Sequence, residues 1–269
     1  MRCVTVCVVM FAAGVLQGSD AFVVRFRAQG KTSSCNSVYW RDDLLLYNTN
    51  STPVIVRVLG NSNGAAAITA PSSVILAPAT ATSLNLFLKE AWVPPSADPL
   101  LWLLHLDIPP GVVADSRDEF SRFYLCIASP TPPNSLGKVS LPIFRELVAP
   151  NLPQVHLGTD LGGGDARTNI GIYNGGVVEG TARVEIRRVC DDSVVEKRVV
   201  IVAPDTLIQV LGFRQGDDVC VSSIAWMRYA VVTVDQPSIT FVSTVTERPN
   251  PLLGLAPSVN LGVTQNTHF

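Results

Sequence analysis

The chain has 269 residues, with 20 Lys and Arg against 22 Asp and Glu, 47% hydrophobic residues and only 16% charged ones. So much apolar side chain with so little net charge argues against disorder. The near-zero balance argues against nucleic acid or an acidic membrane as partner, since either needs a concentrated basic surface. Nineteen Gly and nineteen Pro, spread along the chain, predict frequent reversals and leave little room for long helices.

Arg2 precedes an apolar run, Cys3 to Leu16, broken only by Thr5, and Ser19 and Ala21 then take the −3 and −1 positions of a cleavage site. That layout predicts a signal peptide over 1–21 and a mature chain that starts near Phe22, secreted or periplasmic. The run is too short for a good membrane span and no later stretch is longer, so no integral membrane segment is expected in the mature chain. Four cysteines remain after cleavage: Cys35, Cys126, Cys190 and Cys220. An even number in an exported chain points to disulfides, with three possible connectivities. The domain division below favours Cys35–Cys126 and Cys190–Cys220. No CxxC occurs and no His lies near a cysteine, so no metal site is expected.

Further along, the chain repeats itself at a spacing of 126 residues. Arg41, Tyr47 and Asn48 match Arg167, Tyr173 and Asn174; Arg57-Val58 matches Arg183-Val184, and Ala77-Pro78 matches Ala203-Pro204. Both copies read as strands. Val54, Val56 and Val58 alternate with Ile55 and Arg57, as Ala182, Val184 and Ile186 alternate with Arg183, Glu185 and Arg187. Period two puts one face on a core and the other in water. Val194 to Val202, Tyr229 to Val234 and Ile239 to Val245 add further strands, and Trp102 to Leu106 suits one more. Short strands cut by turn residues predict an all-β chain of two tandem immunoglobulin-like β-sandwich domains. The first spans 22–149 with an insertion around 89–121, the second 150–249, and 250–269 forms a C-terminal tail.

Ala166 to Asn174, followed by Val202-Ala203-Pro204 and Tyr229 to Val232, resembles a repeat in uncharacterised secreted bacterial proteins. Phe241 to Thr246 is similar to the closing strand of that repeat, and Trp40 to Leu44 to the start of its companion domain. The resemblance implies an exported tandem immunoglobulin-like protein and brings no catalytic residue with it. A second stretch, Pro99 to Pro110, is similar to one in periplasmic pilus chaperones. That likeness implies a donated strand around Val139, Leu141 and Ile143, with Arg25 or Arg27 and Lys138 anchoring a subunit carboxylate. Pro142 removes a backbone donor from such a strand.

Reactive side chains are sparse. Gly60-Asn61-Ser62-Asn63-Gly64 fits the GxSxG pattern of a hydrolase elbow, but Pro71 leaves no adequate helix after it, and Asn63-Gly64 suits a turn. Of the three histidines, His105 alternates with apolar neighbours, His156 has no His partner at metal spacing, and His268 lies in the tail. The doublets Asp42-Asp43, Asp191-Asp192 and Asp217-Asp218 suit solvated loops. Gly158 to Asp165 lacks the Lys-Ser/Thr of a phosphate loop and the ligand count of a calcium site. Asn50-Ser51-Thr52 is a glycosylation sequon. The expectation is an exported, non-enzymatic binding or structural module without a cofactor, its partner an unidentified protein or glycan at the cell envelope. A strand-donating chaperone and a hydrolase centred on Ser62 are the alternatives.

Overall fold

The computed structural model describes residues 19–26, 36–62, 73–84, 101–124, 134–159, 166–210, 228–250 and 255–264; among them the regular structure is strand, with no α-helix. Nine strands come first: β1 (Ser19–Phe26), β2 (Asn36–Asn48), β3 (Val54–Asn61), β4 (Ser73–Leu76), β5 (Ala81–Ser83), β6 (Leu101–Ile108), β7 (Val112–Tyr124), β8 (Asn134–Leu141) and β9 (Ile143–Phe144). Eight follow: β10 (Gln154–Thr159), β11 (Ala166–Asn174), β12 (Gly180–Arg188), β13 (Val194–Val202), β14 (Thr206–Val210), β15 (Arg228–Val234), β16 (Ser238–Asn250) and β17 (Leu255–Thr264).

The strands form four antiparallel sheets. Sheet A has the order β4-β3-β6-β1-β9 and sheet B the order β5-β2-β7-β8; sheet C runs β14-β11-β16-β17 and sheet D runs β10-β15-β12-β13. Every pairing among β1–β8 reappears nine strands later: β3 with β6 as β12 with β15, β2 with β7 as β11 with β16. Among the described strands only β9, at the edge of sheet A beside β1, has no counterpart. Among the described residues no ladder joins the first nine strands to the last eight. One isolated bridge does, between Val148 and Ser238.

Alternation along each strand sets the layers. Ala21 and Val23 of β1, Leu44 and Leu46 of β2, and Leu104 and Leu106 of β6 fill a core between sheets A and B. Ile170 and Ile172 of β11, Val184 and Ile186 of β12, and Val232 of β15 fill a second between sheets C and D. A third cluster joins the halves: Phe22, Val24, Leu103 and Phe144 of sheet A meet Tyr173, Leu207, Ile239 and Phe241 of sheet C. Among the described residues, sheets A and C are therefore covered on both faces, B and D on one. The local sequences say why, since strands with two buried faces read as unbroken apolar runs. Ala21 to Val24, Trp102 to Leu104 and Ile239 to Val242 do so, except at Thr240, and all are buried. Gly171 is required here, because a Cβ on it would lie 2.3 Å from the ring of Phe241, its cross-strand partner.

Three expectations need correction. Residues 101–121 of the expected insertion are not extra chain: they form β6 and most of β7, which match β15 and β16 in pairing and in spacing. The stretch 250–269 is not merely a tail, since 255–264 forms β17 at the edge of sheet C. Its alternating Val259, Leu261 and Val263 carry that signal, and Pro257 is tolerable on an edge. Ser19 and Ala21, expected to precede the mature chain, lie inside β1 opposite Ile108 and Leu106, and Ala21 is fully buried. Residues 1–18 lie outside the described residues.

One side chain recurs in the same role in both halves. Asn48 ends β2 and Asn174 ends β11, and both are fully buried. Asn48 Nδ2 donates to the carbonyls of Thr52 (2.9 Å) and Leu76 (3.1 Å), and its Oδ1 accepts from the Asn50 amide (2.9 Å). Asn174 Nδ2 donates to Val178 and Val202 (both 2.9 Å), and its Oδ1 accepts from the Gly176 amide (2.8 Å). Each amide shapes an Asx turn while tying its own sheet to the last strand residue of the facing one. Asn48→Ala or Asn174→Ala leaves buried carbonyls without donors and should lower stability by about 2–4 kcal/mol. Asn174→Asp, which faces two carbonyls with a carboxylate, should lower it at least as much. Urea unfolding of the three variants measures this.

Candidate functional site

Ser62 lies where β3 ends. Its amide donates to the Leu103 carbonyl (2.9 Å) and its Oγ accepts from the Leu103 amide (2.8 Å), extending the β3–β6 ladder by one rung. The side chain is buried and its acceptor is occupied by backbone, the opposite of an exposed nucleophile above a strand–turn–helix. His105 stacks on Phe22, with centroids 4.3 Å apart and planes 15° from parallel. Its Nε2 is 3.2 Å from the Asp20 carboxylate without hydrogen-bond alignment. The sequon residue Asn50 spends its Nδ2 on Asn48 Oδ1 and the Pro110 carbonyl (3.0 Å each).

The proposed donated strand is divided. Val139 and Leu141 belong to β8 in sheet B, and Ile143 belongs to β9 in sheet A, half-buried against the first core. Pro142, which lacks a backbone donor, stands at the crossing and is buried. No single free edge runs through Val139, Leu141 and Ile143. Cys190 sits in the turn between β12 and β13 and is disulfide-bonded. Cys35, Cys126 and Cys220 lie outside the described residues, as do Arg27, Asn63, Asp217, Asp218, His268 and residues 160–165.

Asp191 and Asp192 are structural. Asp191 accepts from the amide and hydroxyl of Ser193 (3.0 and 2.7 Å), which holds its carboxyl below the usual range. Asp192 accepts from the Tyr229 hydroxyl and from Arg187 (3.1 Å) and is held low in the same way. Arg187 also grips Glu185 at 2.7 Å, and Lys197 stands 3.2 Å from the same carboxyl, which is again lowered, first by the Arg187 hydrogen bond. Among the described residues no group of three or more His, Cys, Asp or Glu side chains could hold a metal ion. No helix among them is long and apolar enough to cross a membrane.

What the alternation argument missed is the outer surface of the end sheets. Leu45, Tyr47 and Val113 stand exposed on the outer face of sheet B, with Tyr47 directly opposite Val113. Val199 and Ile201 are exposed on the outer face of sheet D, flanking its charged ladder. The signal was present in Leu44-Leu45-Leu46-Tyr47: a strand apolar at consecutive positions has an outward face that is apolar too.

Comparison of the chain with family models, curated proteins and solved structures found no match.

A buried polar quartet separates the second half from the first. Gln154 and His156 of β10 face Ser238 and Thr240 of β16. The matching positions in the first half are Ala21, Val23, Val112 and Ala114, by their pairing with Leu106, Leu104, Asn48 and Leu46. Gln154 Nε2 donates to Ser238 Oγ (2.9 Å), and its Oε1 accepts from Thr240 Oγ1 (2.9 Å). Because the Thr240 hydroxyl proton is committed to Gln154, His156 Nε2 must donate to Thr240 Oγ1 (2.8 Å), which fixes the neutral tautomer. His156 Nδ1 has no hydrogen-bond partner, and burial pushes the imidazole down to about 4. Between pH 6.5 and 4 the unfolded chain therefore binds the proton that the folded chain refuses, so stability falls as pH falls through that window. Urea unfolding across pH 7 to 4 should show a loss of up to about 3 kcal/mol from this group. His156→Val, which restores the residue of the first half, should remove that part of the slope.

Proposed function

We propose that the chain is an exported, two-domain immunoglobulin-like protein that works by binding, through the outer faces of sheets B and D, and does no chemistry. The strand-for-strand match of β1–β8 with β10–β17 supports the tandem reading, and seven or eight strands in two sheets suit an immunoglobulin-like size and layout. The disulfide at Cys190 and the apolar run Cys3 to Leu16 support an oxidising compartment, secreted or periplasmic. Cys190–Cys220 and Cys35–Cys126 are the pairings this division favours.

One observation carries the reading. The side chains with chemical potential, Ser62, His156, Asp191 and Asp192, are engaged in structural hydrogen bonds, while Leu45, Tyr47 and Val113 form a cross-strand apolar patch open to solvent. Exposed apolar residues grouped on one sheet face mark an interaction surface more often than isolated ones do. Affinity capture from envelope and culture fluid with the mature chain tests it. A retained partner, protein or glycan, should be lost by at least about tenfold with Tyr47→Asp/Val113→Asp, while the thermal midpoint stays unchanged. Retention indifferent to that change, or substrate turnover by the purified chain that is lost on mutation, overturns the reading.

A further inference from the structure

The contact between the halves is a template for a contact between molecules. Sheet A offers sheet C a platform made of Phe22, Val24 and Leu103, on which Tyr173, Ile239 and Phe241 rest. Phe22 and Tyr173 meet ring to ring at 5.9 Å. Under the correspondence of strands, the seat on sheet C becomes the outer face of sheet B: Tyr173 matches Tyr47, Ile239 matches Val113, and Gly171 matches Leu45. The platform on sheet A becomes the outer face of sheet D. Leu103 matches Tyr229, His105 matches Val231, and Phe22 matches Val155, which pairs with Val231 as Phe22 pairs with His105. The two copies of the seat differ in their surroundings. Tyr173 is 6% exposed and Ile239 is fully buried, whereas Tyr47 is 42% and Val113 57% exposed.

We propose that the outer face of sheet B in one molecule seats on the outer face of sheet D in a second copy, repeating the A–C contact and giving a head-to-tail assembly. The inference rests on the binding reading above and names the partner. The seat and platform are different surfaces, so the contact is heterologous. Each copy keeps one unused face at either end, and the assembly grows as a filament or closes as a ring. The main departure from the template has a local reason. Phe241 of sheet C packs on Phe144 (6.2 Å), which belongs to β9, the one strand without a counterpart. Among the described residues sheet D has no such strand at its edge, and the residue of sheet B that matches Phe241 is Asp115.

Sedimentation of the full mature chain with its disulfides intact tests the proposal. The wild type should show an average mass that rises with concentration past that of a dimer. Tyr47→Arg, on the seat, and Val231→Arg, on the platform, should each weaken self-association by at least about thirtyfold. A one-to-one mixture of the two variants should form a dimer and stop there, because one intact seat meets one intact platform. A wild type that stays monomeric to about 100 μM overturns the proposal, since contacts weaker than that fall below specific assembly. A wild type that stops at a dimer, with no recovery in the mixture, also overturns it, because the contact would then be isologous. In the first case, capture of another partner through Tyr47 and Val113 leaves the binding reading standing. Loss of both sinks the two together. Val113→Lys and Val155→Lys repeat the seat and platform tests if either arginine variant misfolds.

Discussion

Two buried asparagines hold the architecture to its shape. A sandwich of two sheets has hydrogen bonds within each sheet and only apolar contact between them, so nothing directional fixes how one sheet lies over the other. Asn48 and Asn174 supply that direction. Each sits at the last position of a central strand, donates to the carbonyl at the end of a strand in the facing sheet, and closes its own turn. The proline turns that follow Leu76 and Val202 complete the arrangement. Ala79 and Asp205 both take a left-handed φ, of 50° and 49°, directly after Pro78 and Pro204. A non-glycine residue held there in both halves means that the surrounding contacts outweigh the steric penalty, about 1–2 kcal/mol. At Asp205 part of the compensation is visible, because its carboxylate accepts from the buried Tyr173 hydroxyl at 2.7 Å.

Much of this was legible in the residues. The 126-residue spacing and the alternation in Val54 to Val58 and Ala182 to Ile186 lead directly to β3 and β12 and to their matching partners. The places where sequence reasoning failed share a cause. Alternation detects strands with one wet face, and Ala21 to Val24 lies between two cores, so it reads as the end of a leader rather than as β1. The proline pairs near Trp102 suggest inserted chain, although Ala81 and Val113, the partners of Tyr47, are as far apart in sequence as Leu207 and Ile239, the partners of Tyr173. The GxSxG match at Ser62 differs for another reason: a motif records residue order, while its chemistry depends on an exposed hydroxyl, and Ser62 is buried with its Oγ accepting from the Leu103 amide. Asn48 is legible as a matching residue, yet its crossing from one sheet to the other is visible only in the fold.

The halves diverge where their neighbours differ. Sheet A meets sheet C on its outer face, and its outer positions in β1 and β6 are large and apolar or aromatic: Phe22, Val24 and Leu103. The matching positions of sheet D face away from the other described sheets. There Glu185, Arg187 and Lys197 form a charged ladder, and Tyr229 turns its hydroxyl to Asp192. That ladder is largely solvent-screened and contributes little to stability. It places charge beside the exposed Val199 and Ile201 at the β12–β13 side of sheet D, while Val155, Tyr229 and Val231 are half-buried toward the β10 side.

The buried quartet carries the same logic into the interior. Replacing Ala21, Val23, Val112 and Ala114 with Gln154, His156, Ser238 and Thr240 exchanges non-directional packing for hydrogen bonds that accept only one arrangement. Fully satisfied polar cores specify geometry, and partly satisfied ones are fragile. Among the buried side-chain polar atoms of these four residues, His156 Nδ1 is the one without a hydrogen-bond partner. Ser238 also bridges to Val148 through paired backbone hydrogen bonds of 2.8 and 3.0 Å, so the residue that anchors the quartet is the one that clips the last segment of the first half onto β16. Protonating His156 would strain a network whose end lies at that junction. Acid sensitivity of the second core and the joint between the halves are thus linked through three side-chain contacts in series, His156 to Thr240, Thr240 to Gln154 and Gln154 to Ser238.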